Sequence, residues 1–481
     1  MATTPQDVGT TGRRARRLRR KNKRGVALIM VLGAITVLTV FLTELQEETT
    51  AELSAALAER DALKAEYHAR SAVNLSRLLI ATEPTIRRAL APILMMLKIE
   101  QVPVWLFSDM VLGPFNDEAG VAAFGGLAGV DTSTGKNLGL SGGRFEVKIV
   151  DEDSKVNVNV AANPIPTQRD RLAAQILSLF APVENNPLFE GRDGDDQFSD
   201  RATICGALVD WADPNEDLYP CNLTANAPSS SGGEDNFYQT IGLDYRRKNA
   251  PYDSLQELRL VRGMSDDVWA TFVDPDPNDP TKRLMTVWGQ DKVNINGANA
   301  QTLLALVCSA AADGTELCND VVQMQSFLAG MSLAKSLTMG VSPFAKPSDF
   351  VKAMEGKNAM ISPLFETLGI KPVVFTNRKG LLDSLTNKSK VFSIYAEGVV
   401  PGNRRTTRVR VHAVVDTRSA VELGAPMSGL GGTAGGTQAP PGPGQPASTA
   451  NTQNAADLTP EAIAAALKAN PAGTIVYWRV E

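Results

Sequence analysis

The chain has 481 residues, 43 % hydrophobic and 21 % charged, at a formal net charge of −5, a balance that suits packed globular domains and excludes disorder from end to end. The charge is unevenly placed: residues 1–25 hold nine Lys/Arg (Arg13, Arg14, Arg16, Arg17, Arg19, Arg20, Lys21, Lys23, Arg24) against Asp7 alone, so this segment stands at +8 and the rest at −13. An acidic body argues against a nucleic-acid groove. With two histidines, His68 and His412, and no CxxC among the four cysteines, zinc and thiol-redox chemistry lack ligands.

The basic run ends at Gly25, and Val26–Leu42 follows as seventeen residues without a charge, the lower edge of a membrane span. The positive-inside rule puts residues 1–25 in the cytoplasm and the body on the far side, the periplasm of a double-membraned bacterium. No small-x-small cleavage site closes the run. Thr43-Glu-Leu-Gln-Glu-Glu48 continues a helix instead.

From Ala51 to Ile80, leucines and Tyr67 recur amid good helix formers without Gly or Pro, so one helix is expected from Val26 to about Ile80, roughly 80 Å long at 1.5 Å per residue. Pro84 and Pro92 punctuate a second apolar helix, Thr85–Ile99. Arg144–Asp151 alternates as a strand, and strand text then disappears until Val391–Val400, Thr407–Val415 and Thr474–Val480. These four segments predict one antiparallel sheet packed on the long helix.

Helices are expected over 167–181, 200–211, 254–262, 265–273, 298–309, 317–338 and 348–355, an α-helical domain inserted in the sheet domain. Inside it Lys155-Val-Asn-Val-Asn159 recurs as Lys292-Val-Asn-Ile-Asn296, and Pro251–Leu258 has a counterpart in Pro343–Phe350. Residues 424–454, dominated by Gly, Pro, Ala, Ser, Thr and Gln, read as a flexible loop.

Cys205 and Cys221 enclose fifteen residues and Cys308 and Cys318 nine. In an oxidising compartment each local couple would act as a staple contributing about 2–3 kcal/mol, although spacing alone leaves cross-pairing open. Neither histidine has an evident catalytic partner, and no nucleophile, base and oxyanion donors come together, so an enzyme is not expected.

Asp151-Glu-Asp-Ser-Lys-Val-Asn-Val-Asn159, Leu208-Val-Asp-Trp-Ala-Asp213, Gly233–Tyr238, Asn249–Met264 and the terminal Val476-Tyr-Trp-Arg479 together resemble the general secretion pathway protein K family, the large minor pseudopilins of type II secretion. The basic leader, Gly25 and the apolar helix likewise resemble the class III signal of pilins and pseudopilins. The long arginine-rich leader, Val26 and the Gly/Pro loop depart from the family pattern.

The resemblance implies cleavage by prepilin peptidase between Gly25 and Val26. It implies an α+β fold: a pilin-like long N-terminal helix packed on an antiparallel sheet, with a large inserted α-helical domain containing a helix-hairpin-helix-like repeat. The expected boundaries are a cleaved leader 1–25, a transmembrane part 26–43, a pilin-like domain over 44–164 and 376–481, and the insert at 165–375. Met30 stands where pilins usually carry the Glu that meets a neighbour's N-terminal ammonium. A subunit lacking that carboxylate escapes an unpaired buried charge only at a filament tip.

The implied partners are the other minor pseudopilins of a tip complex, reached through the N-terminal helix, then the major pseudopilin, the peptidase and the inner-membrane assembly platform, with no nucleic acid. The alternative is DNA uptake by a minor pilin using helix-hairpin-helix-like modules. It is weakened by Val261-Arg-Gly-Met-Ser265, which lacks a second Gly to bring amides against phosphate.

Asp210, Asp213, Asn215, Glu216, Asp217, Glu234 and Asp235 crowd the segment before Tyr238, and their repulsion calls for a counter-ion. Asp213-Pro-Asn-Glu-Asp217 offers oxygens at alternating positions as calcium loops do, without the Gly and closing Glu of an EF-hand. The resemblance implies structural Ca2+ here, with Asp213, Asn215, Asp217, Glu234 and Asp235 as ligands.

Overall fold

The computed structural model describes residues 24–97, 99–116, 142–193, 196–221, 236–337, 343–402, 405–420 and 471–481. The chain divides into a unit ending at Asp61 and a second from Ala62 to Glu481. The described part of the first unit belongs to one helix, α1 (Arg24–Ala89), which runs through Gly25 without a break. An 18-residue window of α1 has mean hydropathy 2.6 and no buried residue. The hydroxyls of Thr36, Thr39 and Thr43 return to carbonyls one turn back, so the run presents no unsatisfied polar side chain to an apolar medium. Among the described residues it is the one helix long and apolar enough to cross a membrane, and it serves as the anchor.

In the second unit α1 lies on a sheet. The strands, numbered in chain order, are β1 (Arg144–Asp151), β2 (Val156–Asn157), β3 (Met285–Thr286), β4 (Val293–Asn294), β5 (Leu385–Thr386), β6 (Val391–Pro401), β7 (Thr406–Asp416) and β8 (Thr474–Val480). The four long ones form the expected antiparallel sheet in the order β1-β6-β7-β8. Ala69, Ala72, Val73, Leu79 and Ile80 of α1 pack on Phe145, Val147, Ile149, Ile394, Ala396, Val411 and Ala413, alternate residues of the strands. Small residues let the helix approach closely: a Cβ on Gly398 would overlap the Ala65 carbonyl.

The expected break near Ile80 is corrected, because α1 continues through Pro84 to Ala89. Proline removes one helical hydrogen bond, but Leu79, Ile80, Ala81 and Glu83 around it are buried, and Glu83 accepts the Val102 N–H at 3.0 Å. Packing thus outweighs the lost bond, and the separate helix is only Ala91–Leu97.

Between β1 and β6 the insert contains two hydrophobic cores. One gathers residues from Val156 to Val287 together with Ala305, the other residues from Val293 to Leu385. The sequence repeat sits at the head of each, and its asparagines make the same bonds twice. Asn159 Oδ1 accepts Tyr252 N–H and its Nδ2 donates to Tyr252 O; Asn296 does the same with Phe344. Asn157 Oδ1 accepts the N–H of Asn159 as Asn294 Oδ1 accepts that of Asn296, both at 3.0 Å. Each copy also forms a two-residue parallel pair, β2 with β3 and β4 with β5, strands too short to leave a periodic signal.

Of the expected helices, 254–262 is a tight 3-10 turn, Leu255–Leu260, 265–273 ends in a π turn at Trp269–Val273, and 317–338 breaks at Asp320. Ser362–Thr367 and Arg378–Asp383 are additional short helices. The loop expected at 424–454 lies outside the described residues.

Candidate functional site

The chain crosses one point three times: leaving β1, passing between the two insert cores, and entering β6. Asp151, Glu152, Asp153, Ser154 and Lys155 meet there, all buried. Asp151 Oδ2 accepts from the Ser389 hydroxyl and from Asn294 Nδ2, the latter at 3.3 Å. Asp153 accepts the main-chain N–H of Gln290 (2.7 Å), Lys390 (2.6 Å) and Val391 (3.1 Å). Glu152 pairs with Lys155 Nζ at 2.9 Å and accepts from Thr286. A Cβ on Gly297 would overlap Asp151 Oδ2, so the second repeat reaches this junction only with glycine there.

Three adjacent acids therefore hold both insert halves to the sheet. Burial, reinforced by the neighbouring Asp153, pushes the Asp151 carboxyl up to about 8, and burial pushes Asp153 up to about 6 against the amide bonds that favour its charge. Burial opposes ionisation of Glu152 as well, but the Lys155 ammonium and the hydroxyls of Ser393 and Thr286 hold its carboxyl below the ordinary range. The sequence shows this site only as acids at the end of the strand Arg144–Asp151 and within the Asp151–Asn159 motif, with nothing that marks them as buried.

His412 stacks on Tyr395 at 4.2 Å, with Trp288 and Tyr477 against it, and its Nε2 lies 3.2 Å from Ser393 Oγ. Burial pushes this imidazole down to about 3, so it is neutral, and Ser393 is fully buried beneath the sheet surface and bonded to Glu152. The pair joins the aromatic cluster to the acidic junction.

The acidic turn follows the helix Arg201–Ala212. Asp213 is fully buried, and Arg169 Nη1 donates to its Oδ2 while Asn215 N–H donates to Oδ1. Asn215 Oδ1 accepts Asp217 N–H at 2.7 Å, and Asp210 Oδ1 accepts Tyr219 N–H at 2.8 Å. Burial, with Asp213 adding to it, pushes Asp210 up to about 7. Among the described residues no three Asp, Glu, His or Cys side chains are gathered as metal ligands; the turn places Asp213, Asn215 and Asp217 on irregular backbone, with Arg169 as a counter-charge that sequence spacing does not reveal. Glu234 and Asp235 lie outside the described residues.

Cys205 is bonded to Cys221 and Cys308 to Cys318, the two local couples. The first ties Arg201–Ala212 to the end of the acidic turn, and the second joins the helices Ala300–Cys308 and Glu316–Asn319. Val26 and Met30 are exposed on α1.

Residues 154–273, covering most of the first insert core and the acidic turn, match the family model described as type II secretion system (T2SS), protein K. No curated protein matches the chain. Among solved structures, similarity is found to the crystal structure of the GspK-GspI-GspJ complex from the enterotoxigenic Escherichia coli type 2 secretion system, at 16 % identity and a TM-score of 0.34, covering 58 % of this chain and 76 % of that one.

Proposed function

We infer that this chain, a member of the type II secretion system protein K family by the match over residues 154–273, is a minor pseudopilin of the pseudopilus tip complex. The match to that family carries the reading. It is supported by the single apolar span of α1 and by the continuation of that helix onto an antiparallel sheet. The basic leader supports an inner-membrane anchor with the body in the periplasm, and Gly25-Val26 is proposed as the prepilin peptidase site. The role is assembly: α1 packs with the helices of other minor pseudopilins, with the major pseudopilin below and the membrane platform at the base.

Met30, apolar and exposed on α1, supports the tip position, since no earlier subunit would present an ammonium to it. Met30→Glu is expected to impair assembly and secretion, as buried unpaired charge is strongly unfavourable, and deletion of the gene to stop secretion. Normal secretion in both strains would overturn the assignment. The twofold KVNxN bonding supports reading the insert as a duplicated helix-hairpin-helix-like unit serving as scaffold, and the −13 body argues against DNA as its ligand.

We further propose a structural Ca2+ held by Asp213, Asn215 and Asp217, with Glu234 and Asp235 completing the set. The ion would fix the segment after Trp211 so that the insert presents a constant surface. Calcium is expected to raise the melting temperature of the purified chain, and Asp217→Ala to abolish the rise. Asp217 is exposed and its side chain has no structural partner among the described residues, so its loss leaves the apo fold intact. A calcium-independent melting temperature in the wild-type chain would leave only an Arg169-balanced acidic turn.

A further inference from the structure

A cavity of about 300 Å³ opens between the two halves of the insert. One wall is the helix Pro166–Phe180, whose Gln168, Arg171, Leu172 and Gln175 follow one another at the three- and four-residue steps of a single helix face. The other wall comes from residues 290–293, which lead into the second repeat, and from Asp383 at the end of the helix Arg378–Asp383. Leu172 belongs to the first core and Val293 to the second, so the cavity lies where the two meet.

Hydrogen-bonding capacity that the fold leaves unused is concentrated here. Gln175 is 8 % exposed, and its amide makes no hydrogen bond among the described residues. Gln168 Oε1 is buried without a partner. Asn159 and Asn296, by contrast, use both ends of their amides on one main-chain residue each. A buried amide left unpaired is unfavourable to folding, so two of them on one helix face are not explained by stability. Charge is arranged in the same way. Arg171 and Lys292 bring two cations to the lining and Asp291 and Asp383 two carboxylates, and none of the four is ion-paired among the described residues. Asp291, Lys292 and Asp383 are exposed and Arg171 is half-buried, so the charges stand at the rim and the amides lie deeper.

We propose that this cavity binds a short peptide with free termini. Its ammonium group meets Asp291 and Asp383, its carboxylate meets Arg171 and Lys292, and its amide bond meets Gln175, whose side chain both donates and accepts. A simple anion would face the two carboxylates and a simple cation the two basic groups, whereas a ligand carrying both signs matches the whole lining. The volume stands at the lower end of small-molecule sites, which sets the ligand at dipeptide size.

Binding there is independent of the assembly role of α1. Titration calorimetry of the full-length purified chain with L-alanyl-L-alanine is expected to show saturable binding, and the dipeptide to raise the melting temperature. N-acetyl-L-alanyl-L-alanine amide, which lacks both charges, should bind at least about tenfold more weakly. Gln175→Leu replaces the unpaired amide by an apolar side chain, so its melting temperature without peptide should rise while its affinity for the dipeptide falls at least about tenfold. Asp383→Asn, at an exposed position, should weaken binding and leave the melting temperature unchanged. A wild-type chain whose heat signal and melting temperature ignore the dipeptide overturns the site. Equal affinity for the capped peptide overturns recognition of the charged termini. A fall in the melting temperature of Gln175→Leu would mean that its amide is bonded within the folded chain, and that too overturns the site.

Discussion

Lys155→Met is expected to destabilise the protein by about 3–5 kcal/mol, the range for removing one partner of a buried ion pair. The Lys155 and Glu152 side chains are 1 and 2 % exposed and 2.9 Å apart. Without the ammonium, Glu152 keeps its bonds from Thr286 and Ser393, but it loses its directly bonded cation, and Arg283, which also acts on it electrostatically, is paired with Asp274. Either it ionises unpaired or it takes up a proton, and both states are less favourable than the present pair. The double variant Glu152→Gln with Lys155→Met should recover most of the loss, because a neutral amide still meets both hydroxyls. Denaturant unfolding of the four members of this cycle measures the coupling. A single variant as stable as wild type, or a double variant as weak as the single, would show that the pair does not hold the junction.

Periodicity exposed the parts of this fold that repeat over many residues. The leucines of α1 and the alternation of Arg144–Asp151 and Thr407–Val415 indicated a helix on an antiparallel sheet, which the structure shows. The KVNxN repeat was legible because its asparagines do one local task twice. Where long-range packing overrides a local rule, the sequence misled. Pro84 reads as a helix stop, yet the buried residues around it carry α1 on to Ala89. The acids at 151–153 were legible only as the end of a strand and part of the Asp151–Asn159 motif, because nothing local announces that Gln290, Thr286, Ser389 and Lys390, more than one hundred residues away, will close over them. Asp213 likewise pointed to a cation, and the guanidinium beside it comes from Arg169, on a different helix.

The same junction should make stability fall as pH rises through neutrality. A carboxyl whose folded value lies above its unfolded one binds a proton in the folded state that the unfolded chain has released. Asp151, raised from 3.8 to about 8, thus penalises the folded state progressively between those values, and the penalty is complete above 8. One such proton changes stability by about 1.4 kcal/mol per pH unit inside the window. Asp210, raised to about 7, has the same sign up to that value. His412, lowered to about 3, acts oppositely, but only below 6.5, where the unfolded imidazole charges. Between pH 6.5 and 8 the carboxyls are therefore unopposed by it, and the melting temperature should climb as the buffer is taken from 8 to 6.5. Asp151→Asn removes the titrating proton while its Oδ1 still accepts the Asp153 N–H, so this variant should lose its share of the slope; its NH2 would face the Asn294 amide as well as the Ser389 hydroxyl, so the slope and not the stability at pH 8 is the readout. The substitution leaves Lys155 and Glu152 in place. An unchanged slope in Asp151→Asn would mean that Asp151 is ionised in the folded protein and that the junction holds its charges by the hydrogen bonds of Ser389 and Asn294.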